Sequence, residues 1–280
     1  MKKTIRIISV LLVSAMLMTA CGQEETQPVS TTAEPETTHA AESIAEVTVP
    51  DIHPTEPEST EPTYTEADLD KLIAITFDDG PSTNRPSSTE RILDTLEQYG
   101  AKATFFVQGI NLTWPDFKER NTAIVKREAE LGMQIGNHSY DHPNFDKMGS
   151  SEINEQLDKA ADLIEEASGV RPHIVRTPYG AQKQNTLDAI DYPVILWNID
   201  TLDWDTKDAQ KTYNEIMNKV KGGSIILMHD LYQATADAVE MVVPALIERG
   251  YKLVTIDELF EAYGQPLVSH QYYYKAERQD

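Results

Sequence analysis

A run of four apolar residues, Leu72-Ile73-Ala74-Ile75, passes through Thr76 and Phe77 into two adjacent carboxylates, Asp78-Asp79, and then into Gly80-Pro81. A strand buried on both faces of a parallel sheet reads as such a continuous hydrophobic run, and Gly-Pro turns the chain at its end. Side chains alternate along a strand, so Asp78 and Asp79 are expected to do different jobs from different directions. One can bind a metal ion while the other faces the ion's open side. An acidic surface turn would look the same in isolation, so the reading depends on the residues further along the chain.

Further apolar strand candidates lie at 102–107, 133–137, 173–176, 193–199, 223–228 and 251–254, with helical patterns between them. The first helix starts at Ser87, where Ser87-x-x-Glu90 has the form of a capping box, and stops at Gly100. Others are expected over 116–131, 152–167, 208–220, within 235–249, and over 257–262. In the third, Ile153, Leu157, Ala160, Ala161 and Ile164 share one face. Pro244 is expected to kink the fifth or delay its start, because proline removes an intrahelical donor. Seven strands separated by helices imply right-handed crossovers and a parallel sheet, either closed into a barrel or left open and doubly wound. No glycine-rich phosphate fingerprint follows the first strand, which counts against a dinucleotide-binding sheet. Residues 264–280, with Tyr272-Tyr273-Tyr274, do not reveal whether they pack under the domain.

Polar groups cluster where these strands end. Asp78-Asp79 follows the first, His138-Ser139-Tyr140-Asp141-His142 the third, Arg176-Thr177-Pro178-Tyr179-Gly180 the fourth, Asp200-Thr201-Leu202-Asp203-Trp204 the fifth and His229-Asp230 the sixth. In a barrel all those carboxyl ends share one face, where barrel enzymes place their chemistry. His138 and His142 are four apart, a spacing that lets both rings reach one ion from a turn or helical stretch. With Asp79 they offer two nitrogens and one oxygen, the format of a catalytic zinc-type site with open positions; the same set can hold cobalt, nickel or iron. Such an ion lowers the pKa of bound water towards about 7, and Asp78 fits as general base. Arg176 either staples a loop or orients Asp78. His229 is either a satisfied core histidine or a general acid, with Asp203 the carboxylate that would hold it charged. Trp204 and Tyr179 serve packing or offer flat platforms to sugar rings.

The formal charge of -22 is unevenly spread. Residues 1–20 carry only Lys2, Lys3 and Arg6, residues 21–70 hold 13 acidic residues and no Lys or Arg, and residues 71–280 hold 33 acidic against 21 basic. Such an excess of acid argues against nucleic acid, where affinity comes from neutralising phosphates, and against anionic lipid headgroups. The basic start is followed by an apolar run, Ile7 to Leu17, too short for an ordinary transmembrane helix. Met18-Thr19-Ala20-Cys21-Gly22 then resembles a bacterial lipobox, with Met18 in place of the usual leucine. The expectation is a signal peptide over 1–20 and lipidation of Cys21, which anchors the chain to the membrane outside the cytoplasm. A secretory signal with an incidental cysteine, or a retained signal anchor, would place it on the same side. The single cysteine excludes an internal disulfide. Residues 21–66, rich in Thr, Glu and Pro, cannot bury enough surface to offset their ordering entropy and are expected to form a disordered, self-repelling tether. The catalytic domain is expected over 67–265, with a tail over 266–280.

Taken together, residues 70–260 resemble the polysaccharide deacetylases of carbohydrate esterase family 4, the NodB-homology domain. The five family motifs stand in order as Thr76-Phe77-Asp78-Asp79-Gly80, His138-Ser139-x-x-His142, Arg176-x-Pro178-Tyr179-Gly180, Asp200-x-x-Asp203-Trp204 and Ile225-x-Leu227-x-His229. The resemblance implies a distorted (β/α) barrel of about seven parallel strands. It implies Asp78 as base, Asp79, His138 and His142 as ligands of one divalent metal ion (zinc first), and Arg176 positioning Asp78 with Asp200 in support. It further implies the Tyr179 N–H in the oxyanion site, Trp204 and Leu227 around the acetyl methyl group, and His229 as acid tuned by Asp203. Among subgroups the motifs look most like peptidoglycan N-acetylglucosamine deacetylases. Acetylxylan esterases and chitooligosaccharide deacetylases carry nearly the same motifs, and a catalytically idle wall-binding lipoprotein is the remote alternative. The partner implied is an acetylated polysaccharide, acted on by a monomer.

Overall fold

The computed structural model describes residues 64–278, so Cys21, the expected signal peptide and the expected tether up to residue 63 lie outside the described residues. The last three residues assigned to the tether belong to the domain instead, because Tyr64 packs on its core and Thr65 caps the helix that starts at Glu66. β1 (Leu72–Asp78) is the axis of the domain, and all seven of its residues are buried. Its side chains divide by parity between two cores. Ile73, Ile75 and Phe77 join a cluster with helix residues such as Leu93, Val125 and Val242. Leu72 and Ala74 join a second, with Phe106, Ile195, Ile225 and Phe260. Thr76 and Asp78 share the parity of Leu72 and Ala74. The end of β1 is therefore aimed at the second interior before any loop geometry is considered.

The other strands are β2 (Thr104–Val107), β3 (Gln134–Asn137), β4 (Val194–Ile195), β5 (Ile199–Asp200), β6 (Ile225–His229), β7 (Lys252–Leu253) and β8 (Tyr272–Tyr273). The main sheet runs β3-β2-β1-β6-β5, with β7 also on β1, and β4 pairs with β8. Every one of these ladders is parallel, as the alternation of strand and helix predicts. Two expected strands are altered. The segment 173–176 contributes only Val175, which bridges Asn137 on one side and Val194 on the other. The segment 193–199 is divided into β4 and β5. One cause serves both changes: the carbonyls of Ile195 and Leu196 accept from the Arg176 guanidinium rather than from a neighbouring strand. Backbone pairing passes from β1 through β2, β3 and Val175 to β4, and from β5 through β6 back to β1.

The helices are α1 (Glu66–Leu69), α2 (Ser88–Tyr99), α3 (Lys118–Glu130), α4 (Ser150–Ser168), α5 (Gln184–Asp188), α6 (Asp203–Thr206), α7 (Ala209–Lys219), α8 (Gln233–Glu248) and α9 (Ile256–Ala262). Ser87 accepts the Glu90 N–H and so supplies half of the expected capping box. α4 starts two residues before its expected beginning, and its buried face is the expected set together with Ala167. α8 begins at Gln233 and continues through Pro244, so proline does not delay its start. Among the described residues no helix is long and apolar enough to cross a membrane.

The carboxyl-terminal segment packs on the domain. Tyr273 is buried, pairs with Ile195 and sets its ring edge-on to Phe260 at 5.2 Å. Ala276 donates its N–H to Gly223 O. Gly223 sits at φ +79°, and a Cβ there would collide with Ala276 O, so this approach needs glycine. Tyr273→Ala is expected to lower unfolding stability by about 3 kcal/mol, the loss typical of removing a buried aromatic ring, measured by urea unfolding of the full chain. A change below about 0.5 kcal/mol, the range of surface substitutions, would show that the segment adds nothing to the core.

Candidate active site

The site begins with one fully buried cation. Arg176 Nη1 donates to Asp78 Oδ1 at 2.8 Å and to Thr76 Oγ1 at 2.7 Å, while Nε and Nη2 donate to Ile195 O and Leu196 O, both at 2.9 Å. Its guanidinium lies 4.1 Å from the Phe106 ring centroid, a cation–π contact. Burial lowers the Arg176 pKa, and the charge and hydrogen bond of Asp78 work against that shift. Asp200, implied by the resemblance as a support for Arg176, is not among its hydrogen-bond partners. Its Oδ1 accepts the Leu202 N–H instead.

Asp79, His138 and His142 form the one group of potential metal ligands among the described residues, with ligand atoms all within 4.8 Å of one another. Asp79 Oδ1 lies 3.5 Å from both His138 Nε2 and His142 Nε2. Strict alternation would have sent Asp79 to the face opposite Asp78. Its φ of +75° turns it back to the same pocket. Ser139 and His142 also adopt left-handed backbone, at φ +70° and +62°. Each such non-glycine residue costs on the order of 1 kcal/mol, and local hydrogen bonds hold them there. Ser139 donates its N–H to Asn137 Oδ1 and accepts the His142 N–H, while Gln156 Oε1 accepts the N–H groups of Tyr140 and Asp141. The His-x-x-x-His spacing therefore sits on a turn.

These residues fit a divalent cation. His138 Nδ1 lies 2.7 Å from Arg176 O, which can only accept, so Nδ1 carries the proton and the Nε2 lone pair faces Asp79. Burial and the neighbouring His138 lower the His142 pKa, against the pull of Asp79 and Asp78, which favours the neutral ring that a cation needs.

His229 stands on the far side of the pocket, on β6. Its Nδ1 is 2.9 Å from Asp203 Oδ1, and its N–H donates to Asp203 Oδ2 at 2.7 Å. Thr235 Oγ1 also donates to Asp203 Oδ2, so the carboxylate is fixed from two elements. Burial alone would push the imidazole down. The hydrogen bond and charge of Asp203, with Asp78 and Asp79 beyond, raise it to about 9.

A pocket of about 360 Å³ brings together Asp78, Asp79, His138, His142, Tyr179, Asp200, Trp204, Leu227 and His229. Of the expected site residues, Arg176 and Asp203 act from behind its wall. Tyr179 is 69% exposed and Trp204 47%, at the rim, while Leu227 is buried beneath them. Trp197 and Tyr232 also line the pocket and were not expected. Gln108 and Asn111 were missed as well. Gln108 Nε2 donates to Asp79 Oδ1, and Asn111 Nδ2 to Asp79 O. Gln108 follows β2 directly, so the polar residue at a strand's carboxyl end was the available signal. Two buried acids, Asp230 and Glu128, lie outside the expected set. Burial raises Asp230 to about 7 and, with the Asp230 charge, Glu128 well above the carboxylate range.

The fold and cluster define a class: parallel α/β domains with an Asp–His–His group able to hold a metal ion at the carboxyl ends of their strands. The family model described as polysaccharide deacetylase matches residues 65–192. The chain is 38% identical over 217 residues to the peptidoglycan-N-acetylglucosamine deacetylase PgdA of Listeria monocytogenes, covering 77% of this chain and 44% of that protein. It is 35% identical over 196 residues to a peptidoglycan-N-acetylglucosamine deacetylase of Bacillus cereus, 68% of each chain. The structure of a family 4 acetyl xylan esterase from Clostridium thermocellum in complex with a cobalt ion superposes with a TM-score of 0.66 at 30% identity, covering 73% of this chain and 98% of that one. This chain belongs to the polysaccharide deacetylase family. It spans less than half the length of the Listeria relative.

In the metal-free protein the His229 ring is expected to titrate near pH 9, followed by NMR. Asp203→Asn is expected to lower it, because burial then meets only the weaker pull of Asp78 and Asp79; an unmoved titration would dismiss Asp203 as the cause. The folded pKa lies above the unfolded value of about 6.5. The associated stability is therefore complete below pH about 6.5 and is lost as pH rises through about 9.

Proposed function

We propose that this chain hydrolyses N-acetyl groups on a GlcNAc-containing cell-wall polysaccharide, peptidoglycan, releasing acetate. The observation that carries the reading is the placement of Asp78 with Arg176, and His229 with Asp203, around one pocket that also holds Asp79, His138 and His142. A divalent ion, zinc first and cobalt, nickel or iron as alternatives, would be held by Asp79, His138 and His142 and would supply Lewis acidity to water and to the acetyl carbonyl.

The protein's own groups do the rest. Asp78, held by Arg176, takes a proton from the attacking water as its oxygen bonds to the carbonyl carbon. The Tyr179 N–H donates to the oxygen on which charge develops. Leu227 and Trp204 flank the acetyl methyl group. His229 is charged at neutral pH and has Nδ1 on Asp203, so Nε2 delivers the proton to the departing nitrogen as the C–N bond breaks. Atoms and charge balance as acetate and a glucosamine unit, with no covalent intermediate and no organic cofactor. Likeness to the peptidoglycan deacetylases supports the polymer. The lipobox-like Met18–Cys21 run supports lipid anchoring of a monomer outside the cytoplasm, facing the wall, with the acidic segment over 21–66 as tether.

Likeness to the acetyl xylan esterase favours a second reading, O-deacetylation of xylan at the same site. An amine needs protonation on leaving more than an alcohol does, so His229→Ala is expected to slow amide hydrolysis more than ester hydrolysis. Acetate released from peptidoglycan, chitooligosaccharides and acetylxylan, after chelation and metal add-back, separates the readings; release from acetylxylan alone would favour the second. Asp78→Asn is expected to keep Co²⁺ binding while turnover falls by about 10² or more; near-normal turnover would remove Asp78 as base. His138→Ala is expected to strip the metal, and unchanged metal content would remove His138 as ligand.

A further inference from the structure

The turn that carries Asp79 is gripped from two sides. On one side Asn111 Nδ2 donates to Asp79 O at 2.7 Å and to Gly80 O at 3.0 Å, and Asn121 in turn donates to Asn111 O. On the other lies Asp230, the residue after His229, with no exposed surface. A Cβ on Gly80 would collide with both carboxylate oxygens of Asp230, so the carboxyl group is pressed against the Gly80 Cα. Asp230 Oδ2 accepts from the Thr89 hydroxyl at 2.5 Å, and Thr89 Oγ1 accepts the Ser82 N–H at 2.8 Å. The next residues continue the attachment: Ser88 Oγ donates to Asp230 O, and Asn84 Nδ2 donates to Leu231 O.

For stability alone a carboxyl group is a poor filler here. It is buried, and its Oδ1 has no hydrogen-bond partner among the described residues; an unsatisfied buried polar group is destabilising. Its position has another consequence. Asp230 follows His229 directly on β6, and His229 is in register with Asp78 across the β1–β6 ladder. A group rigidly attached to the His229 backbone therefore presses on the backbone of the residue after Asp79.

We infer that Asp230 is a positioning residue which, with Thr89, sets the Asp79-Gly80 turn so that Asp79 Oδ1 faces both histidine Nε2 atoms, and fixes that cluster relative to His229. The second half of this inference rests on the proposed role of His229; the first half does not. Gly80 is then required because Asp230 occupies the place of its side chain.

The test reads metal affinity without substrate, so an error in the proposed polymer leaves it intact. Co²⁺ is titrated into the full chain and into Asp230→Ala, Asp230→Asn, Thr89→Val, Gly80→Ala and the Gly80→Ala/Asp230→Ala pair, by visible absorption and chelator competition, with Tm measured alongside. Asp230→Ala and Thr89→Val are expected to weaken Co²⁺ binding by about tenfold, the usual effect of removing a supporting contact, and to alter the Co²⁺ spectrum. Asp230→Asn, which keeps the shape and the acceptor, is expected to stay near wild type. Gly80→Ala is expected to abolish binding, and Asp230→Ala in that background to recover part of it. Unchanged affinity and spectrum in Asp230→Ala and Thr89→Val, with only Tm reduced, would overturn the proposal. Should Asp230→Ala fail to fold, Thr89→Val alone decides.

Discussion

The contact between Arg176 and Asp78 organises the domain from the inside. The guanidinium is among the largest fully buried side chains, and it fastens β1, through Thr76 and Asp78, to the last residue of β4 and the residue after it. Its main chain does separate work, because Arg176 O fixes the tautomer of His138. One residue thus sets the direction of the proposed base and the donor atom of a potential ligand. A buried ion pair of this kind adds little net stability over a well-packed apolar pair, but losing one partner is strongly destabilising because the other is left buried and uncompensated. The pair therefore specifies an arrangement more than it strengthens the fold. It also accounts for the interrupted strands: carbonyls spent on the guanidinium cannot extend the sheet.

Around this centre the backbone is bent into conformations that side chains other than glycine resist. Asp79, Ser139, His142, Tyr179 and Leu202 all have φ between +53° and +75°, and all belong to loops that build the pocket. Ordinary strand-end geometry would deliver Asp78 and Asp79 to opposite faces. The left-handed turn at Asp79 converts adjacency in sequence into convergence in space. Strain of this sort persists only where the surroundings over-determine it. Here the surroundings can be named: Asn111, Gln108 and Asp230 at Asp79, and Asn137, Ser139 and Gln156 at the histidine turn.

The legible part of the sequence was the part governed by period and position. Continuous apolar runs gave β1, β2, β3 and β6, and the buried stripe of α4 followed from its 3.6 period. The rule that polar residues at strand ends converge located the pocket, and the histidine spacing picked out two of the three side chains whose ligand atoms lie close enough to share an ion. What period could not show was competition for backbone groups. Nothing in Ile174-Val175-Arg176 announces that an arginine will draw the carbonyls of Ile195 and Leu196 out of a ladder. The tail at Tyr272–Tyr273 was equally hidden, since a two-residue strand carries no period. Gln108, Asn111, Trp197 and Tyr232 escaped because neutral polar and aromatic residues have many ordinary uses, whereas adjacent carboxylates and spaced histidines have few.

The charges in the pocket pose a final constraint. His138 Nδ1 is committed to a carbonyl oxygen, so its Nε2 presents a lone pair to Asp79 Oδ1 at 3.5 Å and to Asp78 Oδ2 at 3.7 Å. Electron pairs facing one another in a largely buried space are unfavourable unless a cation lies between them. Arg176 cannot serve, because it is engaged by Asp78 on its own side, and His229 is held away by Asp203. Two occupants satisfy the geometry: a proton on Nε2 or a divalent ion shared by Asp79, His138 and His142. They exclude one another, because a ligand nitrogen must offer its lone pair to the ion. The acidic neighbourhood that would favour a cation at Asp79 also helps hold His229 charged, so a single distribution of charge serves the two opposite walls of the pocket.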